Sequence, residues 1–134
     1  MRDGLSEIKV TRGLIRTAIG SNTTTAGVII DLQGFDACTW AIYSETLTDG
    51  TFTPKIEHDD VVGFGTAVEP PAAELVGTLI NATFALTDDN VVKKVGYRGN
   101  KRFVRLSIVS TVVTTGGAVG ALAILGEATL EPQA

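Results

Sequence analysis

Residues 102–113, RFVRLSIVSTVV, decide the fold class of this chain. Two sets of side chains alternate along the stretch: one set is Val104, Leu106 and Ile108, and the other is Phe103, Arg105 and Ser107. A period of two together with β-branched residues indicates a strand with one face on a core. We therefore predict a β-strand here, with Val104, Leu106 and Ile108 facing the core.

The rest of the chain alternates between short apolar runs and turn signals. Such runs predict further strands at 28–32, 38–45, 51–58, 91–97 and 118–125. The turn TDG at 48–50 predicts a hairpin between 38–45 and 51–58, and Pro54 predicts an edge strand or a bulge. Residues 75–86 fit a short helix or a strand, and we favour a strand. The pattern predicts an all-β fold, a single-domain β-sandwich or jelly-roll-like barrel.

The sequence divides into two predicted parts within its 134 residues. Residues 1–26 have spaced aliphatic side chains without a continuous strand pattern, so we predict an extended N-terminal arm. Leu14 and Ile15 of this arm are expected to contact a neighbouring subunit or another protein. Residues 27–134 form the predicted β-sandwich domain, with 59–77 as a long surface excursion.

The run AVGALAIL at 118–125 is apolar on both faces. A strand with one face in water should alternate, so this strand lies inside the fold or has its outer face on another subunit. Ala121 and Ala123 are the predicted contact residues, and a homo-oligomer, a dimer or a trimer, is expected. The uncharged stretch 106–126 contains the turn TTGG, which favours two strands over a membrane-spanning helix. We therefore predict no membrane partner.

Six of the eleven Lys and Arg residues lie between positions 93 and 105, although the chain has a formal charge of −4. We expect Arg98, Lys101, Phe103 and Arg105 to form a surface that contacts acidic protein. A solvated surface is the second interpretation. Nucleic acid is the third, because a few cations in an acidic chain make a weak electrostatic footprint, and we predict no nucleic-acid partner.

Residues that could carry catalysis are few. Cys38 and His58 are the only cysteine and histidine, and Cys38 shares a predicted core face with Trp40. The acidic pairs at 59–60 and 88–89 lack the spacing of a calcium loop. We therefore predict that the chain is not an enzyme and has no catalytic residues, cofactor or metal.

Several blocks in combination carry a resemblance to a known family. They are DLQGF at 31–35, DGTFTP at 49–54 and GYRGNKRFVRL at 96–106, within a similar region of roughly 27–128. The chain resembles structural proteins of tailed-bacteriophage virions, of the capsid decoration or cement type. After AILG at 123–126 the family often has a tail rich in His and Pro, whereas this chain has EATLEPQA, so no role of that tail is carried over.

The resemblance implies a β-sandwich that oligomerises on the outside of the phage head. Such a protein binds the major capsid protein, bridges capsid subunits and resides in the virion after synthesis in the bacterial cytoplasm. Two alternatives remain open at this point. One is another virion part, such as a head–tail connector or tail subunit, for which a tail tube would need a long inserted hairpin. The other is a carbohydrate-binding β-sandwich for host attachment, which would need exposed aromatic residues.

Overall fold

The computed structural model describes residues 8–128, apart from the side chains at positions 36, 127 and 128. Within these residues, nine strands form two antiparallel sheets. The strands are β1 (Lys9–Ile19), β2 (Thr24–Ala26), β3 (Ile30–Asp31), β4 (Phe35–Leu47), β5 (Thr51–Asp59), β6 (Leu75–Val76), β7 (Val92–Tyr97), β8 (Phe103–Thr111) and β9 (Gly117–Ala128). A short 3-10 helix covers Ala72–Glu74. The prediction of an all-β, sandwich-like domain is confirmed.

The larger sheet has five strands in the order β1-β9-β4-β7-β6. In its centre, β4 pairs with β9 on one side and with β7 on the other. Trp40 of β4 therefore lies between Ala123 of β9 and Val95 of β7. Directly paired residues project from the same face of a sheet. All three of these side chains are fully buried, and this row therefore marks the inward face.

The smaller sheet is built around β8. On one side β8 pairs with β5, and on the other side with the two short strands β2 and β3. Val104, Leu106 and Ile108 are completely buried, as the alternation in this strand predicts. Pro54 lies in β5, whose one strand partner among the described residues is β8; isolated bridges at Phe52 and His58 flank Pro54 on the other edge. The prediction of an edge strand is confirmed, since the missing amide hydrogen of Pro54 costs no ladder bond there.

One continuous core fills the space between the sheets. It combines large side chains from both, with Trp40 and Tyr97 from the larger sheet and Phe52, Ile56 and Leu106 from the smaller. Burial of apolar surface at about 25 cal/mol per Å² is the main force that holds two such sheets together. No helix within residues 8–128 is long and apolar enough to cross a membrane.

The predicted N-terminal arm is wrong for the residues that the structure describes. Strand β1 is the edge strand of the larger sheet and pairs with β9 from Lys9–Leu125 to Ile19–Gly117. Leu14 and Ile19 belong to the protein's own core. Two register shifts interrupt the pairing of β1 with β9 and hide the period of two in β1. Residues 1–7 of the predicted arm and 129–134 of the predicted domain lie outside the described part.

Two further predictions are corrected. Strands β4 and β5 do not form a hairpin, because β4 pairs with β7 and β9 whereas β5 pairs with β8. The turn at 48–50 instead carries the chain from one sheet to the other, with Gly50 at a φ of +97°. Of residues 75–86 only Leu75–Val76 form a strand. The rest is a series of turns, tied to β5 by hydrogen bonds between Phe84 and Phe52.

Candidate interaction surface

Most of the basic cluster is neutralised within the protein. Salt bridges join Lys93 to Asp88, Lys101 to Asp60, Arg102 to Asp31 and Arg105 to Glu57, at N–O distances of 2.8–3.1 Å. Hydrogen bonding to Arg102 lowers the pKa of Asp31, and hydrogen bonding to Lys101 lowers that of Asp60. The basic strand of an acidic chain therefore serves, first of all, to pair with the chain's own carboxylates.

The predicted contact residues on β8 are covered by the protein itself. Phe103 is only 7% exposed, and the guanidinium of Arg102 lies 5.0 Å from its ring. Arg105 is half-buried, with its guanidinium 4.8 Å from the ring of Phe64. Phe64 comes from the excursion that follows β5, so this excursion folds back over the outer side of the smaller sheet. Phe103 and Arg105 consequently do not form an open basic surface.

Arg98 and Lys101, the other two predicted cationic contacts, are exposed beside the turn that joins β7 to β8. Lys101 is engaged by Asp60. Arg98 and Lys94 have no salt bridge within the described residues. The structure thus brings the predicted cluster together in space but leaves only part of its charge for a partner.

The predicted contacts on β1 and β9 separate into two groups. Ala121, Ala123 and Leu14 are almost fully buried and face the core. They are therefore packing residues, and their assignment to a protein interface is wrong. Ile15 differs, since it is 55% exposed. It lines a shallow depression with Tyr43 and Leu122 on the side of the sheet that points away from the core.

That side, which we call the outer face, is formed by alternate residues of the larger sheet. Cross-strand pairing places three rows on it: Val10, Ile124, Thr39, Gly96 and Val76; then Arg12, Leu122, Ala41 and Lys94; then Gly120, Tyr43 and Val92. The outward residues of β9 between Gly120 and Ile124 are entirely apolar or glycine. This explains why AVGALAIL does not alternate: one set of its residues fills the core, and the other forms the centre of an apolar surface.

The middle of the outer face is low and flat. A Cβ atom at Gly120 would lie 2.6 Å from the hydroxyl oxygen of Tyr43, so the Tyr43 side chain lies across this glycine. The large apolar side chains around it remain open to solvent, with Leu122 45% and Val10 54% exposed. An apolar centre surrounded by charged residues is the usual anatomy of a protein interface.

His58, Tyr97 and Cys38 belong to the interior. Nδ1 of His58 lies 2.8 Å from the Tyr97 hydroxyl oxygen, which also accepts a hydrogen bond from the backbone N–H of Lys101. Cys38 is paired with Tyr97 in the sheet, and burial raises the pKa of its thiol to about 12. A thiol with that pKa is protonated and a poor nucleophile at neutral pH. This cluster links the two sheets and has no activated nucleophile.

The acidic pairs are used as turn caps. Asp59 accepts hydrogen bonds from the backbone N–H groups of Val61 and Thr66, and from the Thr66 hydroxyl. Asp88 accepts a hydrogen bond from the N–H of Ala85, which lowers the pKa of this carboxyl. No group of three potential metal ligands occurs in the part of the chain that is described.

The sequence matches no protein-family model and no curated protein. Its structure is similar to the crystal structure of the SPBc2 prophage-derived protein YomS, with a TM-score of 0.54 and 17% sequence identity. The match covers 89% of this chain and 92% of that chain. At this identity the similarity establishes a shared fold.

The outer face was only partly visible in the sequence. The signal for its central strand was the missing alternation in AVGALAIL. The residues Val10, Leu122 and Val92 come from three strands that are far apart in the chain. Only the register of β1, β9, β4 and β7 places them on one surface.

Proposed function

We propose that this chain is a structural protein of a tailed-phage virion, of the capsid decoration type. It binds the major capsid protein on the outside of the head and stabilises the shell by bridging its subunits. One observation of the geometry carries the proposal. The carboxylates of 59–60 and 88–89 are held by hydrogen bonds within the protein, and the single His and Cys are buried, whereas the described residues leave the outer face of the larger sheet open to a partner. This arrangement suits adhesion between proteins rather than catalysis.

Two further observations support the phage context. The sequence blocks at 31–35, 49–54 and 96–106 resemble virion decoration proteins. A protein derived from a prophage has the same fold over nearly the whole chain. A decoration protein acts through buried area and polar pairing across joins in the shell, and neither requires a cofactor.

The alternatives find less support in the geometry. A carbohydrate site would require exposed aromatic rings, but Trp40 and Tyr97 are fully buried and Tyr43 is half-buried across Gly120. A tail tube subunit would require a free hairpin. The excursion after β5 is instead tied down by hydrogen bonds between His58 and Val68 and by Phe64 on Arg105.

The test uses heads of the encoding phage, purified with and without this protein. Adding the purified protein to depleted heads should raise the temperature at which DNA is released, measured with a dye that does not enter intact heads. Binding of free protein at about 100 times its Kd stabilises each site by about 2.7 kcal/mol. Labelled antibody should locate the chain on the head surface in electron micrographs. Localisation to the tail, or no change in DNA release, would refute the proposal.

A further inference from the structure

The outward side of the smaller sheet, on the other side of the sandwich, differs from the outer face of the larger sheet. Across the smaller sheet, Phe64 stacks on Arg105, and Arg105 is paired with Glu57. Phe103 and Ser107 on that side are buried. The protein's own excursion therefore covers Arg105 on that side, whereas Leu122 on the outer face stays 45% exposed among residues 8–128.

The charges on the outer face are arranged around its apolar centre in a definite way. Arg12, Leu122, Ala41 and Lys94 form one row across β1, β9, β4 and β7. A cation therefore stands at each end of a row whose middle is apolar. At about 4.8 Å between neighbouring strands, the Cα atoms of Arg12 and Lys94 are separated by roughly 14 Å.

Neither of these cations has a salt bridge among the described residues. Glu45, a carboxylate at the edge of this face, is already held by two hydrogen bonds from Arg16. That ion pair raises the pKa of Arg16 and lowers that of Glu45. Among the side chains that the structure describes, the uncompensated charge of the outer face is therefore positive, although the chain as a whole has a net charge of −4.

We propose that the outer face docks on a protein surface that has an apolar centre flanked by two carboxylates, which meet Arg12 and Lys94. This inference rests on the proposed function, in which the partner surface belongs to the head shell. Four strands of about nine residues span roughly 19 Å by 30 Å, a projected area of about 570 Å². This area is below the approximately 800 Å² per partner of a standard interface, but above the roughly 500 Å² per partner that a specific interface needs.

A second copy of this chain is a poorer occupant of the same surface. A symmetric contact brings identical patches together, so that two copies of Arg12 and Lys94 would meet without an available carboxylate from the described part of either copy. Like charges in an interface select against such a partner. Charge complementarity therefore favours an acidic surface of a different protein.

The experiment measures binding of purified variants to heads of the encoding phage that lack this chain, at low and at physiological salt. Leu122→Glu should weaken binding at least tenfold, because it places a carboxylate in the apolar centre of the face. Arg12→Glu and Lys94→Glu should each weaken binding severalfold, with a larger loss at low salt. Ile80→Glu is the matched control, since Ile80 is 84% exposed and lies in the turns after β6, outside the three rows that form the outer face. It should bind as the unaltered protein does.

The outcomes separate the two proposals. If the unaltered protein does not bind depleted heads, the proposed function fails. If it binds, and Leu122→Glu binds equally well while its circular dichroism and thermal unfolding are unchanged, the docking face alone is refuted. Sedimentation measures the mass of each variant. An oligomer of the unaltered protein that Leu122→Glu dissociates would show a second copy on this face and overturn the acidic partner.

Discussion

Replacement of Leu14 by alanine tests whether β1 is part of the core or an arm. Leu14 is 2% exposed and faces the core beside Ala121. Leucine-to-alanine changes at buried sites cost about 2–5 kcal/mol, depending on how far the surroundings collapse into the cavity. An edge strand can move toward its neighbour, so we expect the lower half of this range, about 2–3 kcal/mol.

Urea unfolding followed by circular dichroism measures this loss. With a slope of about 1–3 kcal/mol per M, the midpoint should fall by about 0.7–3 M while the slope stays constant. The matched control is Ile15→Ala, one position along the strand and 55% exposed, which should cost about 1 kcal/mol or less. If Leu14 packs in the core of its own chain, the urea midpoints of both variants should also be independent of protein concentration.

Two results would refute this reasoning. One is a loss below 1 kcal/mol for Leu14→Ala, or an equal loss for Ile15→Ala. The other is a domain that stays folded when residues 1–20 are deleted, because that deletion removes every pairing of β1 with β9.

Three further predictions concern the interior and the carboxylates. Tyr97→Phe should lower the free energy of unfolding by about 1–3 kcal/mol, because His58 Nδ1 and the Lys101 N–H lose their hydrogen-bond partner. Urea unfolding measures this loss. A double-mutant cycle with His58→Phe that shows no coupling would contradict the prediction. Cys38 should react with a thiol reagent only after unfolding, because the thiol is buried and burial raises its pKa to about 12. Rapid labelling of Cys38 in the folded protein would show that the thiol is not buried. Stability should fall as the pH drops below about 4. In the folded protein, hydrogen bonding to Arg102 lowers the pKa of Asp31, and hydrogen bonds from the backbone N–H groups at 114–116 lower the pKa of Asp49. An unfolding midpoint in urea that is equal at pH 6 and pH 3 would argue against this prediction.

Local pattern was sufficient for the fold class and for much of the core. In β8 and β4 the inward set that the alternation predicts, Val104, Leu106, Trp40 and Ile42, is completely buried. The structure also buries Phe103 and Ser107 on the other face of β8. A period of two depends only on the geometry of a single strand. For the same reason the edge position of Pro54 could be predicted, since the restriction on proline in a ladder is local.

Tertiary structure alone decided which strands share a sheet. A turn such as TDG at 48–50 reverses the chain equally well within a sheet or between two sheets, and here it crosses between them. The register shifts in β1 displace its side chains from a regular alternation, so that the core residue Leu14 and the exposed Ile15 cannot be distinguished by their types. The outer face depends on this register as well. Arg12, Leu122 and Lys94 lie far apart in the chain and become one surface only because hydrogen bonding across four strands aligns them, a long-range pairing that no short segment encodes.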